Sequence, residues 1–75
     1  MRFFHSVDEF DQWATDAATT VCVEADAIEM FNGTLFVQGC TAREATKLQT
    51  VFENNGVGVV VTPSTTEYSF DFVSS

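Results

Sequence analysis

Two hydrophobic periods run through this chain. Phe10, Trp13, Ala14 and Ala17 recur at i, i+3, i+4 and i+7, so a helix would gather them on one face. Ser6 stands ahead of them as an N-cap, Glu9 follows it at capping-box spacing, and Asp8 adds negative charge to the first turn. These signals predict a helix over 7–18. A second stripe, Ala45, Leu48, Val51 and Phe52, follows the same N-terminal signature, here Thr41 and Glu44. Asn54-Asn55-Gly56 ends that helix with residues that tolerate the left-handed conformation.

Between and around the helices the period shortens to two. Residues 2–5 can form a short strand. Thr19 to Val23 is β-branched and apolar, and Val21, Val23 and Ala25 alternate with Cys22, Glu24 and Asp26. That alternation predicts a half-buried strand with an acidic outer face, blurring near Ala27 where a bulge or a change of face fits. Asn32-Gly33 separates two apolar runs and calls for a two-residue type I′ hairpin, with a further strand over 34–38. Val57 to Val61 is expected as a short, almost continuously apolar strand at the centre of the sheet, and residues 63–66 as a turn. In the last strand Tyr68, Phe70 and Phe72 alternate with Ser69, Asp71 and Val73.

The resulting order, β-α-β-β-α-β-β, is that of an α+β domain. Two helices pack on one face of a four- to five-stranded, mostly antiparallel sheet. The first six elements follow the split β-α-β order of ferredoxin-like folds. The same elements also divide into two α-β-β units, about 7–38 and 42–73, which share pattern and not residues.

With 75 residues the chain makes one domain, 1–75, and a chain of this size buries only about 60% of its unfolded surface. Eight Phe, one Trp and one Tyr, with 45% hydrophobic residues, supply a core that a disordered chain would lack. Cys22 and Cys40 make no disulfide framework and no CxxC, and are expected as reduced thiols in a cytoplasmic protein. No segment is apolar enough for a signal peptide or a membrane span. Asn32-Gly33-Thr34 fits a glycosylation sequon, but the hairpin explains it better.

Charge changes the picture most. Eleven carboxylates face three basic side chains, Arg2, Arg43 and Lys47, for a net charge of −8. Asp8, Glu9, Asp11, Asp16, Glu24, Asp26 and Glu29 follow one another with no Lys or Arg between them. Helix 1 and the strand after it are expected to be neighbours, so these acids could form one continuous negative surface. Ordinary surfaces mix both signs. Such a block repels nucleic acid and anionic membranes, and it attracts basic surfaces, including grooves that hold phosphate backbones. A solvated, solubilising face is the plainer alternative. Arg43 and Lys47, four residues apart on helix 2, form a small basic spot away from the block.

Site chemistry is sparse. Glu24 and Asp26 lack the glycine and spacing of a calcium loop, and two Cys with one His match no zinc spacing, so neither metal nor cofactor is expected. Cys40 stands just before helix 2, where a helix dipole can activate a thiol, with His5 as its sole imidazole partner. A small buried residue at a strand-to-helix corner is the favoured reading of it. No Gly-rich phosphate loop occurs, and the chain is expected not to be an enzyme.

In size, acidity and α+β layout, carried by the uncompensated run from Asp8 to Glu29, the chain resembles phage-encoded acidic DNA-mimic inhibitors of host defence, of the anti-CRISPR and anti-restriction type. The resemblance implies a basic nucleic-acid-binding partner whose Lys and Arg side chains meet these carboxylates in place of phosphates. The net charge itself argues against direct nucleic-acid binding and for a monomer or weak dimer. Two other functions fit the sequence. One is an interaction module, such as an antitoxin or regulatory subunit, binding through an apolar sheet edge on the last strand. The other is a small domain adapted to high salt.

Overall fold

The structure, a computed structural model, describes residues 4–73. Two helices and four strands follow in the order α1 (Val7–Val21), β1 (Ala27–Phe31), β2 (Thr34–Gln38), α2 (Ala42–Asn54), β3 (Gly58–Pro63) and β4 (Glu67–Val73). The strands form one fully antiparallel sheet in the order β1-β2-β4-β3. This is the expected α+β architecture, with the two α-β-β units as its organising plan. The register of the first hairpin, Ile28 opposite Val37, recurs 33 positions on as Val61 opposite Phe70. The β2–β4 seam obeys the same shift, since Leu35 faces Phe70 and Val37 faces Tyr68. The two halves are therefore related by a pseudo-twofold axis through that seam.

Three expectations are corrected. Of the strand expected over 2–5, residues 2 and 3 lie outside the described residues, and Phe4 and His5 belong to no strand. The strand expected from Thr19 to Ala25 is helix as far as Val21 and turn beyond it. Ala14, Ala18 and Cys22 continue one helical stripe and are fully or almost fully buried, which outweighs the β-branched residues' preference for a strand. The Thr15, Thr19 and Thr20 hydroxyls donate to the carbonyls four residues back, at 2.9 Å each, and so satisfy themselves within the helix. Finally, the last two strands exchange their expected places: β4, expected as a sheet edge, lies between β2 and β3, while β3, expected at the centre, is an edge with β1.

The hairpin signal holds. Asn32 and Gly33 have φ of +49° and +78°, the pair of positive values a type I′ turn needs. At the second hairpin Ser64 N–H donates to Glu67 O at 2.8 Å, closing a two-residue turn over Thr65 and Thr66 that uses no positive φ. The helix caps form as well. Thr41 and Glu44 exchange both bonds of a capping box, at 3.0 and 3.1 Å. At α1 only half the box forms: Ser6 Oγ accepts from Glu9 N–H, while the Glu9 carboxylate reaches back to His5 N–H.

One face of the sheet carries the core. Ile28, Met30, Leu35, Val37, Val59, Val61, Phe70 and Phe72 turn toward the helices, where they meet Ala14, Ala18, Ala45, Leu48 and Phe52. Phe52 is the central piece. Its ring lies 5.5 Å from that of Trp13, 6.1 Å from Phe70 and 5.0 Å from Phe72, so it joins α1, α2 and β4 at once. Phe10, on α1, completes the cluster with Trp13 and Phe72.

Two substitutions test this account by urea unfolding followed by circular dichroism. Phe52→Ala should cost about 3–5 kcal/mol, comparable with the whole stability of a domain this size, and abolish a cooperative transition. Gly39 has φ +82°, and a methyl group there would come within 2.5 Å of Asp26 Oδ2 and 3.2 Å of Asp26 N. Gly39→Ala should therefore lower the midpoint by the equivalent of about 1–2 kcal/mol, while Gly33→Ala would strain the turn without any clash.

Candidate interaction surface

No carboxylate is buried among the described residues, which include all eleven. The structure divides the seven acids of the 8–29 block among three places. Asp8 and Glu9 lie exposed in the first turn of α1, where the helix dipole favours them. Asp16 is exposed one turn beyond Gln12, whose amide donates to it at 3.0 Å, and Asp11 is half-buried. Glu24 and Asp26 stand in the turn after α1, not in a strand. Asp26 is fixed there because its N–H donates to Gln38 O at 2.8 Å, extending the β1–β2 hairpin by one rung.

Glu29 is separated from the other six. β1 alternates exposed and half-buried positions, with Ile28 and Met30 facing the helices, so Glu29 projects from the opposite, uncovered face. The expected single negative surface is therefore two surfaces, one along α1 and its exit turn, the other on the open sheet. The physical reason is the two-residue period of a strand, which sets neighbours on opposite faces.

On the open face Glu29 gains companions that the linear order of the chain had kept apart. The register aligns Ala27, Gln38 and Glu67 in one row, and Glu29, Phe36, Ser69 and Thr62 in the next. Phe31, Thr34, Asp71 and Val60 form the third. Glu29 and Glu67 flank a depression of about 290 Å³ beside Phe36. Thr34 Oγ1 donates to Asp71 Oδ1 at 2.6 Å, holding that carboxylate at the middle of the sheet. Phe31, Val60 and Val73 are 61%, 53% and 49% exposed. The alternation of Tyr68, Phe70 and Phe72 with Ser69, Asp71 and Val73 already put Asp71 and Val73 outward. Their partnership with Phe31 and Glu29 required the strand order.

On the helix side an open groove of about 870 Å³ runs between the end of α1 and the start of α2. Val21, Val23 and Val51 give it apolar walls, and Arg43 and Lys47 line it together, as their four-residue spacing requires. Glu44 lines the same groove and carries the opposite charge.

The two thiols meet at the base of the helices. Cys22 caps α1 and is buried; half-buried Cys40 precedes the N-cap of α2. The Cys22 thiol has Cys40 as its neighbour. Burial, first, and then that neighbour push Cys22 up to about 12. Burial also raises the Cys40 thiol, against the lowering effect of the neighbouring Cys22. The start of α2 therefore does not activate Cys40 as a nucleophile. Among the described residues no three His, Cys, Asp or Glu side chains gather as metal ligands, and no helix is long and apolar enough to cross a membrane.

The raised thiol has a consequence for stability. A group whose folded pKa lies above its unfolded value stabilises the fold below the unfolded pKa and loses that contribution as pH rises through the folded one. For Cys22 the window runs from its ordinary value of 9.0 to about 12. Stability measured in urea should fall across that window, and Cys22→Ala should flatten the fall. At pH 8 native protein should react with iodoacetamide at least about tenfold more slowly than urea-unfolded protein, because the thiolate is the reactive form. The sequence matches no protein-family model, no curated protein and no solved structure.

Proposed function

We propose that this protein is a non-enzymatic acidic binding domain that occupies the basic, nucleic-acid-binding surface of a partner protein. Its carboxylates stand where DNA phosphates would. The observation that carries this reading is the electrostatic character of α1 and its exit turn. Asp8, Glu9, Asp11, Asp16, Glu24 and Asp26 are exposed or half-buried, and the hydrogen bonds to their carboxylates come from an amide and a backbone N–H. Neither places a compensating positive charge beside them.

The acids of α1 are closely set. Asp8, Glu9 and Asp11 lie within about 5 Å of helix axis, and Asp16 about 8 Å further along. A single DNA strand carries one phosphate per about 3.4 Å, and Glu24 and Asp26 extend the row beyond the helix. A rigid helix bearing that charge would attract a basic groove over the Debye length, about 10 Å at 0.1 M salt. Binding would then be competitive with nucleic acid and steep in salt.

A second reading has its own observation. Glu29, Glu67 and Asp71 carry negative charge onto the open sheet face as well, so acids cover both sides of the molecule. That distribution suits a domain adapted to high salt, where carboxylates serve hydration and solubility in place of a partner.

One experiment separates the two. Immobilised protein is exposed to nuclease-treated extract, and a nucleic-acid-binding partner should be retained at 50 mM KCl and released by 500 mM KCl or by added duplex DNA. Asp8→Asn, Asp16→Asn, Glu24→Gln and Asp26→Asn combined should abolish retention. Failure to retain such a partner, with a melting temperature that rises by more than about 15 °C between 0.1 and 2 M KCl, would instead establish the high-salt reading.

A further inference from the structure

The uncovered face of the sheet carries both apolar and acidic groups. A solvated antiparallel face ordinarily alternates polar side chains outward. Here Phe31 and Phe36 are diagonal neighbours on β1 and β2, while Val60 and Val73 are diagonal neighbours on β3 and β4. Between the two apolar pairs stands Asp71, held by Thr34, with Glu29 and Glu67 at the next rows. No Lys, Arg or His occupies an outward position on any of the four strands.

From this arrangement we propose that the open sheet face is a second interaction surface, and that its occupant is a basic amphipathic helix of a partner protein. The outer strands of a four-stranded sheet stand about 14 Å apart, which a helix of about 10 residues crosses. Leu-like side chains on such a helix would cover Phe31, Phe36, Val60 and Val73. Lys or Arg side chains flanking them would reach Glu29, Glu67 and Asp71. Charge selects this occupant over a second copy of the chain, since two copies face to face would oppose three carboxylates with three, within molecules of net charge −8. The inference does not depend on the phosphate-mimic reading, because none of its residues lies on α1 or its exit turn.

The test uses a fluorescent peptide of about 14 residues, with leucines on one helical face and lysines on the other, and a control with glutamate in place of lysine. The full chain should bind the basic peptide and not the acidic one. Amide resonances of Phe36, Ser69 and Asp71 should shift, while those of α1 stay in place. Phe31→Ser with Val60→Thr, both at exposed positions, should weaken binding about tenfold while the far-ultraviolet circular dichroism stays that of the unaltered chain. Asp8→Asn with Asp16→Asn should change it less than about threefold. Shifts confined to α1, an equal loss in both variants, or absence of binding would each overturn the proposal. So would a sedimentation-detected dimer that Phe31→Ser dissociates, because it would make the occupant a second copy. Loss of extract capture in the α1 variants bears only on the phosphate-mimic reading.

Discussion

The β2–β4 seam is the constraint on which the rest of the structure depends. Each α-β-β unit has its own hairpin, and a two-stranded hairpin by itself is marginally stable at best. Pairing β2 with β4 turns two marginal hairpins into one four-stranded sheet and sets Leu35 against Phe70 at its middle. It also brings α1 and α2 side by side, which lets Phe52 reach Trp13. The seam fixes the outer face just as firmly, since the same register that buries Leu35 and Phe70 sends Thr34 and Asp71 outward as a hydrogen-bonded pair. Core and candidate surface follow from one pairing.

Much of this was legible in the chain. The helical stripes, both N-caps and the Asn32-Gly33 turn are local signals, and local signals survive folding because neighbours in sequence decide them. The stretch from Thr19 to Ala25 misleads for a physical reason. Its Thr and Val residues favour extended backbone, yet Ala18 and Cys22 are needed in the core, and tertiary burial outweighs an intrinsic preference of a few tenths of a kcal/mol. The candidate surface was legible only in part. That Asp71 and Val73 point outward follows from alternation. That they share a face with Glu29 and Phe31 follows from strand order, which no local pattern encodes. The compositional block from Asp8 to Glu29 looked continuous because sequence distance ignores the sheet that passes between Asp26 and Glu29.

The charge sits uneasily on so small a core. Ten buried residues among those described hold together a molecule of net charge −8, and self-repulsion works against them. Aromatic rings meet this demand economically, since each buries a large apolar area and their edge-to-face contacts add to it. Phe52 and Phe72, in T-shaped contact, show the arrangement at the centre of the fold. Among the described residues, large apolar side chains stay exposed in two places, Val7 and Val23 at the two ends of α1, and Phe31, Val60 and Val73 on the open sheet.

The pseudo-twofold axis also shapes how the chain can reach its native state. Both hairpins close over two-residue tips, so each half forms by contacts close in sequence, on a timescale of microseconds. The seam instead joins residues such as Thr34 and Asp71, 37 positions apart, and must wait for a much longer loop to close. The search for the fold thereby reduces to two quick local events and one slow encounter between ready-made halves. Until β2 meets β4, the inner edges of both hairpins stay open to any other strand.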